Sequence, residues 1–266
     1  QAAQLREYCY NDCIVTHDLL EQLSPQIELR EQLGKDYGFD LRSKSDAQIA
    51  EAVIVSEYES KTGKRVPKPD PKSLVGRGFR YNPPDFIDFE SQKLNELLSE
   101  IKMTDFVVSS KGSIKLPANL TMRVIDVHGG KYKIGVGGLH SVDKPASFYN
   151  DHYEGQLFDI DVTSYYPRII INCNYAPAQM ADAFVDVYRD IVDRRVNAKK
   201  SGDMVTADSL KIVANSSFGK LGSPYSKLYS PSLLIHSTLT GQLALLMLIE
   251  QLGDQVISAN TDGITI

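Results

Sequence analysis

Two stretches of the chain alternate apolar and polar residues with a period of two, and the residues between them follow other patterns. Residues 120–141, LTMRVIDVHGGKYKIGVGGLHS, alternate on either side of His128-Gly129-Gly130, and residues 255–266, QVISANTDGITI, alternate around Thr261-Asp262-Gly263. Alternation with turn residues at its midpoint marks a β-hairpin, because successive side chains of a strand point to opposite faces. A third stretch, GQLFDIDVTSYYP at 155–167, reads as one strand ending in a turn, with Pro167 near the start of a helix, where its fixed φ is accommodated. Hairpins separated by helical patterns predict an α+β fold with an antiparallel sheet.

The helical patterns place the remaining elements. Leu5, Cys9, Ile14, Leu19, Leu20 and Leu23 form an apolar stripe over residues 4–23, and Ser24-Pro25 is expected to end that helix. Ser45-Asp46 opens a second helix over 45–62. A basic, proline-rich stretch follows, with NPPD at 82–85, and reads as a linker or extended loop. A short helix over 90–102 precedes the first hairpin. Two helical stretches between about 181 and 220, broken at Ser201-Gly202-Asp203, predict a helical hairpin. Residues 233–252 predict a long, mostly buried helix. The sequence shows no internal repeat and no low-complexity segment.

With 266 residues, 42% of them hydrophobic, the chain can bury a core for one large or two small domains. Its longest apolar stretch, GQLALLMLIEQLG, is too short for a bilayer and carries Glu250, so no membrane association and a cytoplasmic location are expected. The chain opens within a helical pattern and closes within a strand pattern, and we read it as a piece of a longer protein. Cys9, Cys13 and Cys173 lack partners at zinc spacing and are expected to be reduced thiols. The net charge of −5 gives no bulk attraction to nucleic acid. Residues 61–80, however, hold seven Lys or Arg against one Asp, either as a solvated loop or as a phosphate-contacting one.

Two acids stand at strand ends. Asp161 lies where LFDID runs into VTSYYP, and Asp262 lies in the last hairpin turn. Singly, each is an ordinary turn residue. Together on adjacent strands they make a hard oxygen site for Mg²⁺, and two bridged ions there suit in-line phosphoryl transfer. Between them in sequence, Lys211 and Asn215 of KIVANSSFG share one helix face, and Arg195 and Lys199 repeat that spacing on the preceding helix. The helical hairpin can therefore aim Arg195, Lys199 and Lys211 at one volume, an arrangement suited to a triphosphate. Judged helix by helix, a solvated cationic face is the plainer reading.

Taken in order, these stretches resemble the family B DNA polymerases, most closely the bacteriophage-type members. DVTSYYP resembles their motif A (DxxSLYP), KIVANSSFG their motif B (KxxxNSxYG), and NTDG their motif C (DTDS). Tyr8 and Asp12 of YCYND match the third motif of the proofreading 3′–5′ exonuclease, and GVGGLHS matches the YxGG element, with Gly135 where the Tyr would be. The resemblance implies a C-terminal piece of the exonuclease domain (1–24), a connecting region (25–125), a palm in two parts (126–182 and 223–266) and helical-hairpin fingers (183–222).

It further implies template-directed transfer of dNTPs onto the 3′-hydroxyl of a primer annealed to template DNA. Asp161 and Asp262 would hold two Mg²⁺, for which Mn²⁺ can substitute, assisted by the Val162 carbonyl. Ser164 and Tyr165 would line the triphosphate through their backbone, and Tyr166 would exclude a ribose 2′-hydroxyl. Arg195, Lys199 and Lys211 would grip phosphates. Asn215 and Gly219 would shape the nascent base-pair pocket, with Gly137, Gly138 and Gly219 contacting DNA.

The sequence departs from the family pattern in several places. Asn260 replaces the first motif C Asp, Phe218 replaces the motif B Tyr, and Gly263 replaces Ser, which would free the turn for positive φ. The other exonuclease acids, which would precede Tyr8, and a thumb, which would follow motif C, are not in this sequence. The rest of the polymerase is therefore an expected partner, and this chain alone is expected to be a weak enzyme. The short interval between motifs A and B favours an ordinary nucleic-acid primer over a protein one. Two competing readings are a non-catalytic nucleic-acid-binding module, with affinity supplied by 61–80, and another palm-type nucleotidyltransferase. Motif B separates the first of these from a polymerase, because a pure binder has no use for it.

Overall fold

The computed structural model describes residues 1–147, 156–181 and 183–266. Of the stretch assigned to the first palm part, residues 148–155, which include Gly155 where the third strand pattern opens, and residue 182 lie outside the described residues.

The chain begins with α1 (Ala2–Tyr37), which does not stop at Ser24-Pro25. Proline inside a helix removes one hydrogen bond, and tertiary contacts of the second half outweigh that loss here. Leu33 is buried, the Arg30 guanidinium meets Asp46 at 2.5 Å, and the Tyr37 hydroxyl donates to Glu57 at 2.7 Å. The helix ends at Gly38, whose left-handed φ of 75° lets its N–H return to the Gly34 carbonyl. The boundary expected at residue 24 thus falls inside a continuous helix. The expected stripe is not buried, since Leu5 is 64% exposed and Ile14, Leu19, Leu20 and Leu23 also face solvent.

Helix α2 (Asp46–Thr62) starts with a reciprocal cap. The Gln48 N–H donates to the Ser45 hydroxyl, and the Ser45 N–H donates to the Gln48 side chain. The basic segment then passes through a short 3-10 turn at Pro71–Leu74 to β1 (Gly78–Arg80), with Lys61, Lys64, Arg65, Lys68, Lys72 and Arg77 exposed. After α3 (Gln92–Met103), β2 (Asp105–Val107) pairs antiparallel with β1. A single turn, α4 (Ala118–Thr121), leads into β3 (Ile125–Val127), β4 (Gly130–Ile134) and β5 (Leu139–Ser141). The first hairpin turns at His128-Gly129 as expected. A second turn at 135–138, closed by the Gly135 N–H on the Gly138 carbonyl at 3.0 Å, joins β4 to β5.

Next come β6 (Asp159–Asp161), α5 (Tyr165–Asn172) and the antiparallel pair α6 (Ala183–Ser201) and α7 (Met204–Leu221). Gly202 takes φ 82° in the connection, and the Asp203 carboxylate caps α7 by accepting from the Thr206 N–H. This hairpin packs against α2 through the pairs Arg194–Glu57 at 2.6 Å and Lys220–Glu51 at 3.1 Å. Helix α8 (Pro231–Leu252) follows, and β7 (Ser258–Asn260) and β8 (Gly263–Thr265) complete a six-stranded sheet ordered β3-β4-β5-β7-β8-β6, antiparallel throughout. The fold is mixed α+β. The apolar stretch that looked too short for a bilayer belongs to a longer helix, because α8 begins at Pro231. By length and composition α8 could cross a membrane, and 72% of its most apolar window is buried inside the fold. Cys9, Cys13 and Cys173 are all free thiols.

One buried polar side chain of α8 fixes the 135–138 turn. The Gln242 side chain is fully buried; its amide donates to the Gly135 carbonyl and accepts from the Gly135 N–H, both at 2.9 Å. Replacing it with a similarly sized apolar residue takes the donor from the Gly135 carbonyl and leaves the Gly135 N–H with the Gly138 carbonyl alone. Gln242→Leu is expected to destabilise the fold by about 1–3 kcal/mol in urea unfolding, with the m-value unchanged. A loss below about 0.5 kcal/mol would show that water replaces the amide.

Candidate active site

Strand register places the two acids. Asp161 of β6 pairs with Gly263 of β8, and Gly263 pairs with Asn260 of β7, so Thr261-Asp262 is the two-residue turn next to the end of β6. The Val162 N–H donates to the Asp262 carbonyl at 3.0 Å, which extends the ladder into the turn. Residues paired across antiparallel strands share a face. One row across the sheet therefore reads Lys133, His140, Asn260, Gly263, Asp161, and the next reads Ser258, Thr265, Asp159. The opposite face carries Ala259 and Ile264, both buried.

An open cleft of about 410 Å³ lies over these rows, lined by Asp159, Asp161, Ser258, Asn260, Asp262, Gly263 and Thr265. Asp161 and Asp262 thus share one cleft on neighbouring strands. Asp159 is a third carboxylate that the sequence reading passed over, although its spacing of two from Asp161 puts it on the same strand face. It accepts from the Thr265 hydroxyl at 3.1 Å, and Thr265 in turn accepts from Ser258 at 3.2 Å.

The positive φ expected at Gly263 falls on Thr261 instead. The residue with positive φ is Thr261, at 59°, while Gly263 is not in the left-handed region. A Cβ on Gly263 would stand 3.1 Å from the Ile160 carbonyl, so the absence of a side chain eases the close approach of β6. The β-branched Thr261 is held in an unfavourable conformation by its surroundings. Its N–H donates to the Leu139 carbonyl at 2.8 Å, and its Cα packs where a Cβ on Gly138 would stand, 2.8 Å away. Gly138 is buried against this turn, and Gly137 is exposed.

The start of α5 is built around rings. Ser164 adopts a left-handed conformation (φ 58°, ψ 49°), and its hydroxyl accepts from the Arg195 guanidinium, which ties α6 to this turn. The Tyr165 hydroxyl donates to the Gly241 carbonyl at 2.6 Å, and the Tyr166 hydroxyl donates to the Gly137 carbonyl at 3.0 Å. The Tyr166 ring stacks on Phe218 of α7, with centroids 4.4 Å apart and planes 9° from parallel. Gly241 lets α8 approach, since a Cβ there would meet Tyr166, Ile169 and Tyr165 at 3.0–3.2 Å. Burial first, and then the Asp262 charge, push the Tyr166 phenol up, so it remains a donor.

The other candidates are placed less tightly. Lys211, Asn215 and Gly219 are all exposed along one face of α7, and Lys199 is exposed on α6. Arg195 is the cation that reaches the turn after Asp161. Tyr8 and Asp12 are exposed on α1.

The donor set fits Mg²⁺. Asp161 and Asp262 offer hard carboxylate oxygens, and among the described residues no Lys or Arg is paired with either. Asp262 is pushed up by burial and then by the Asp161 charge, a repulsion that a shared cation relieves. The three cleft carboxylates do not converge on one point. Among the described residues, the metal-ligand types that do, within 4.8 Å, are His17, Asp18 and Glu21, exposed on α1. No protein-family model matches the chain, and no curated protein matches it.

The coupling of the two acids has a measurable sign. Asp262 holds its proton more tightly folded than unfolded, so its contribution to stability falls as pH rises from the ordinary Asp range through its raised folded pKa. Asp161→Asn removes the second cause and leaves burial. The Asp262 carboxyl resonance, followed by ¹³C NMR, is expected to titrate at lower pH in this variant than in the parent chain. An unchanged midpoint would show that the two carboxylates do not sense each other.

Proposed function

We propose that this chain is the palm-and-fingers portion of a DNA-directed DNA polymerase of the family B type, transferring nucleotides from dNTPs to the 3′-hydroxyl of a primer on template DNA. The observation that carries the reading is the shared cleft. Asp161 and Asp262, 101 positions apart in sequence, meet on adjacent strands beside a helical hairpin whose Arg195 reaches the Ser164 turn. In this reading the antiparallel sheet is the palm, α6 and α7 are the fingers, and α1 carries the exonuclease-like Tyr8 and Asp12.

Asp161 and Asp262, with the Val162 carbonyl, would hold two Mg²⁺. When bound, these ions supply Lewis-acid activation of the primer hydroxyl and neutralise charge on the triphosphate. The residues of the chain supply the rest. Arg195, with Lys199 and Lys211 along the exposed hairpin face, receives phosphate oxygens. Tyr166, fixed at its hydroxyl by Gly137 and on its ring by Phe218, presents a rigid edge to the sugar. Asn215 and Gly219 lie along the exposed α7 face toward the incoming base pair.

Metal binding tests the reading without needing tight duplex binding. Mn²⁺ titration followed by EPR should show sites that Asp161→Ala and Asp262→Ala each remove. Single-turnover primer extension at low salt should fall at least about a hundredfold in either variant, more than outer-sphere changes at metal sites cost. Mn²⁺ binding that survives both substitutions would end the reading.

The ring fixed beside the cleft gives a second outcome. Tyr166→Ala should keep measurable dNTP incorporation while raising the rNTP-to-dNTP ratio of kcat/KM by roughly ten- to a hundredfold, since it removes a clash specific to one sugar. Loss of both activities in parallel would reduce Tyr166 to a packing residue under α7.

A further inference from the structure

Asn260 lines the acid cleft, and its orientation is set by a neighbour on a different hairpin. His140 of β5 is its cross-strand partner, and His140 Nδ1 lies 2.8 Å from Asn260 Oδ1. The amide oxygen only accepts, so Nδ1 carries the proton. The Thr261 hydroxyl donates to the same oxygen at 3.1 Å. A carbonyl oxygen has two lone pairs, and both are taken. Asn260 is left with its two Nδ2 protons, which have no partner among the described residues.

The neighbouring position in the row gives those protons a destination. Gly263 stands between Asn260 and Asp161 and has no side chain, so the cleft opens between them. Adjacent strands lie about 4.8 Å apart, which makes this slot roughly 10 Å across from backbone to backbone. One wall is a carboxylate and the other is a pair of amide donors. Aspartate at 260 would accept the same two hydrogen bonds and add a charge facing an anion. Asparagine with its oxygen occupied can only donate.

We propose that His140 is a positioning residue that locks Asn260 as a hydrogen-bond donor to a phosphate oxygen seated in the slot beside Asp161 and Asp262. The proposal rests on the nucleotidyl-transfer reading of the cleft. The phosphate belongs either to the incoming nucleotide or to the primer strand. Lys133, next to His140 in the row, adds a positive charge on the same side.

The test is an NMR titration of the ¹⁵N-labelled 266-residue chain with Mg²⁺, using dGTP in one arm and a short primer–template duplex in the other. The Asn260 side-chain NH₂ resonances are expected to shift with one of the two probes, which identifies the source of the phosphate. The affinity for that probe should weaken about three- to tenfold in Asn260→Ala, Asn260→Asp and His140→Ala, the effect of one lost hydrogen bond. The double variant His140→Ala/Asn260→Ala should be no weaker than Asn260→Ala, and His140→Gln, which keeps an N–H donor, should restore binding. If backbone amides of 161–166 shift while the Asn260 NH₂ does not, or Asn260→Asp binds as well as the parent, or the two alanine effects add, the positioning role is overturned and the polymerase reading stands. Absence of any shift around the cleft with either probe overturns both.

Discussion

The site depends on the register of β6 against β8. Because side chains alternate with a period of two, a slip of one residue would carry Asp159 and Asp161 to the face of Ala259 and Ile264 and lift Ile160 toward the cleft. Backbone exchange at one end of the pair resists that slip, with Phe158 and Ile266 trading N–H and carbonyl at 2.8 and 2.9 Å. At the other end the Val162 N–H closes on the Asp262 carbonyl, and between them Ile264 is buried. The approach of β6 to Gly263 is close enough that a Cβ there would press on the Ile160 carbonyl at 3.1 Å. The distance between the two acids is therefore a property of the sheet and not of a flexible loop, as a site needs when its geometry must be held to fractions of an ångström.

Helix α8 supports the same sheet from the apolar side. Gln242 fixes the turn between β4 and β5, Gly241 receives the two tyrosines of α5, and the turn in its own right abuts Thr261 and accepts the Tyr166 hydroxyl. The segments resembling motif A, motif C and the glycine-rich element thus touch one another through Gly137, Gly138, Thr261 and Tyr166. Phe218 adds the fourth, the α7 segment, through its stacked ring. The left-handed Ser164 and Thr261 are both non-glycine residues, and both flank the acids, which is where a fold concentrates backbone strain that its surroundings can hold.

Much of this was legible in the residues. Alternation gave the hairpins, the Ser45 cap gave the start of α2, and the Ser201-Gly202-Asp203 break gave the α6–α7 connection, because each is a local signal. The end of α1 was not legible. Pro25 is a local stop signal, overridden by contacts of Arg30, Leu33 and Tyr37 with residues later in the chain. The 4–23 stripe is exposed for the converse reason, since an apolar face records what a helix could cover and not whether a partner stands there. Asp161 and Asp262 were read as acids at strand ends, which is where they lie, and Asp159 could have been found from its period. The His140–Asn260 pair could not, because it depends on which strands become neighbours across 120 positions of sequence.

That strand order also fixes when the cleft can form. Strands β7 and β8 lie in the middle of the sheet but follow α8 in the chain, and they separate β5 from β6. Until they insert, β5 and β6 each present an unpaired edge, with no row of side chains between Lys133 and Asp161. Closing so long a loop for so few residues of pairing is entropically slow. The helices and the β3-β4-β5 meander can assemble from nearer contacts, so the acid cleft forms only once the β7–β8 hairpin docks between β5 and β6.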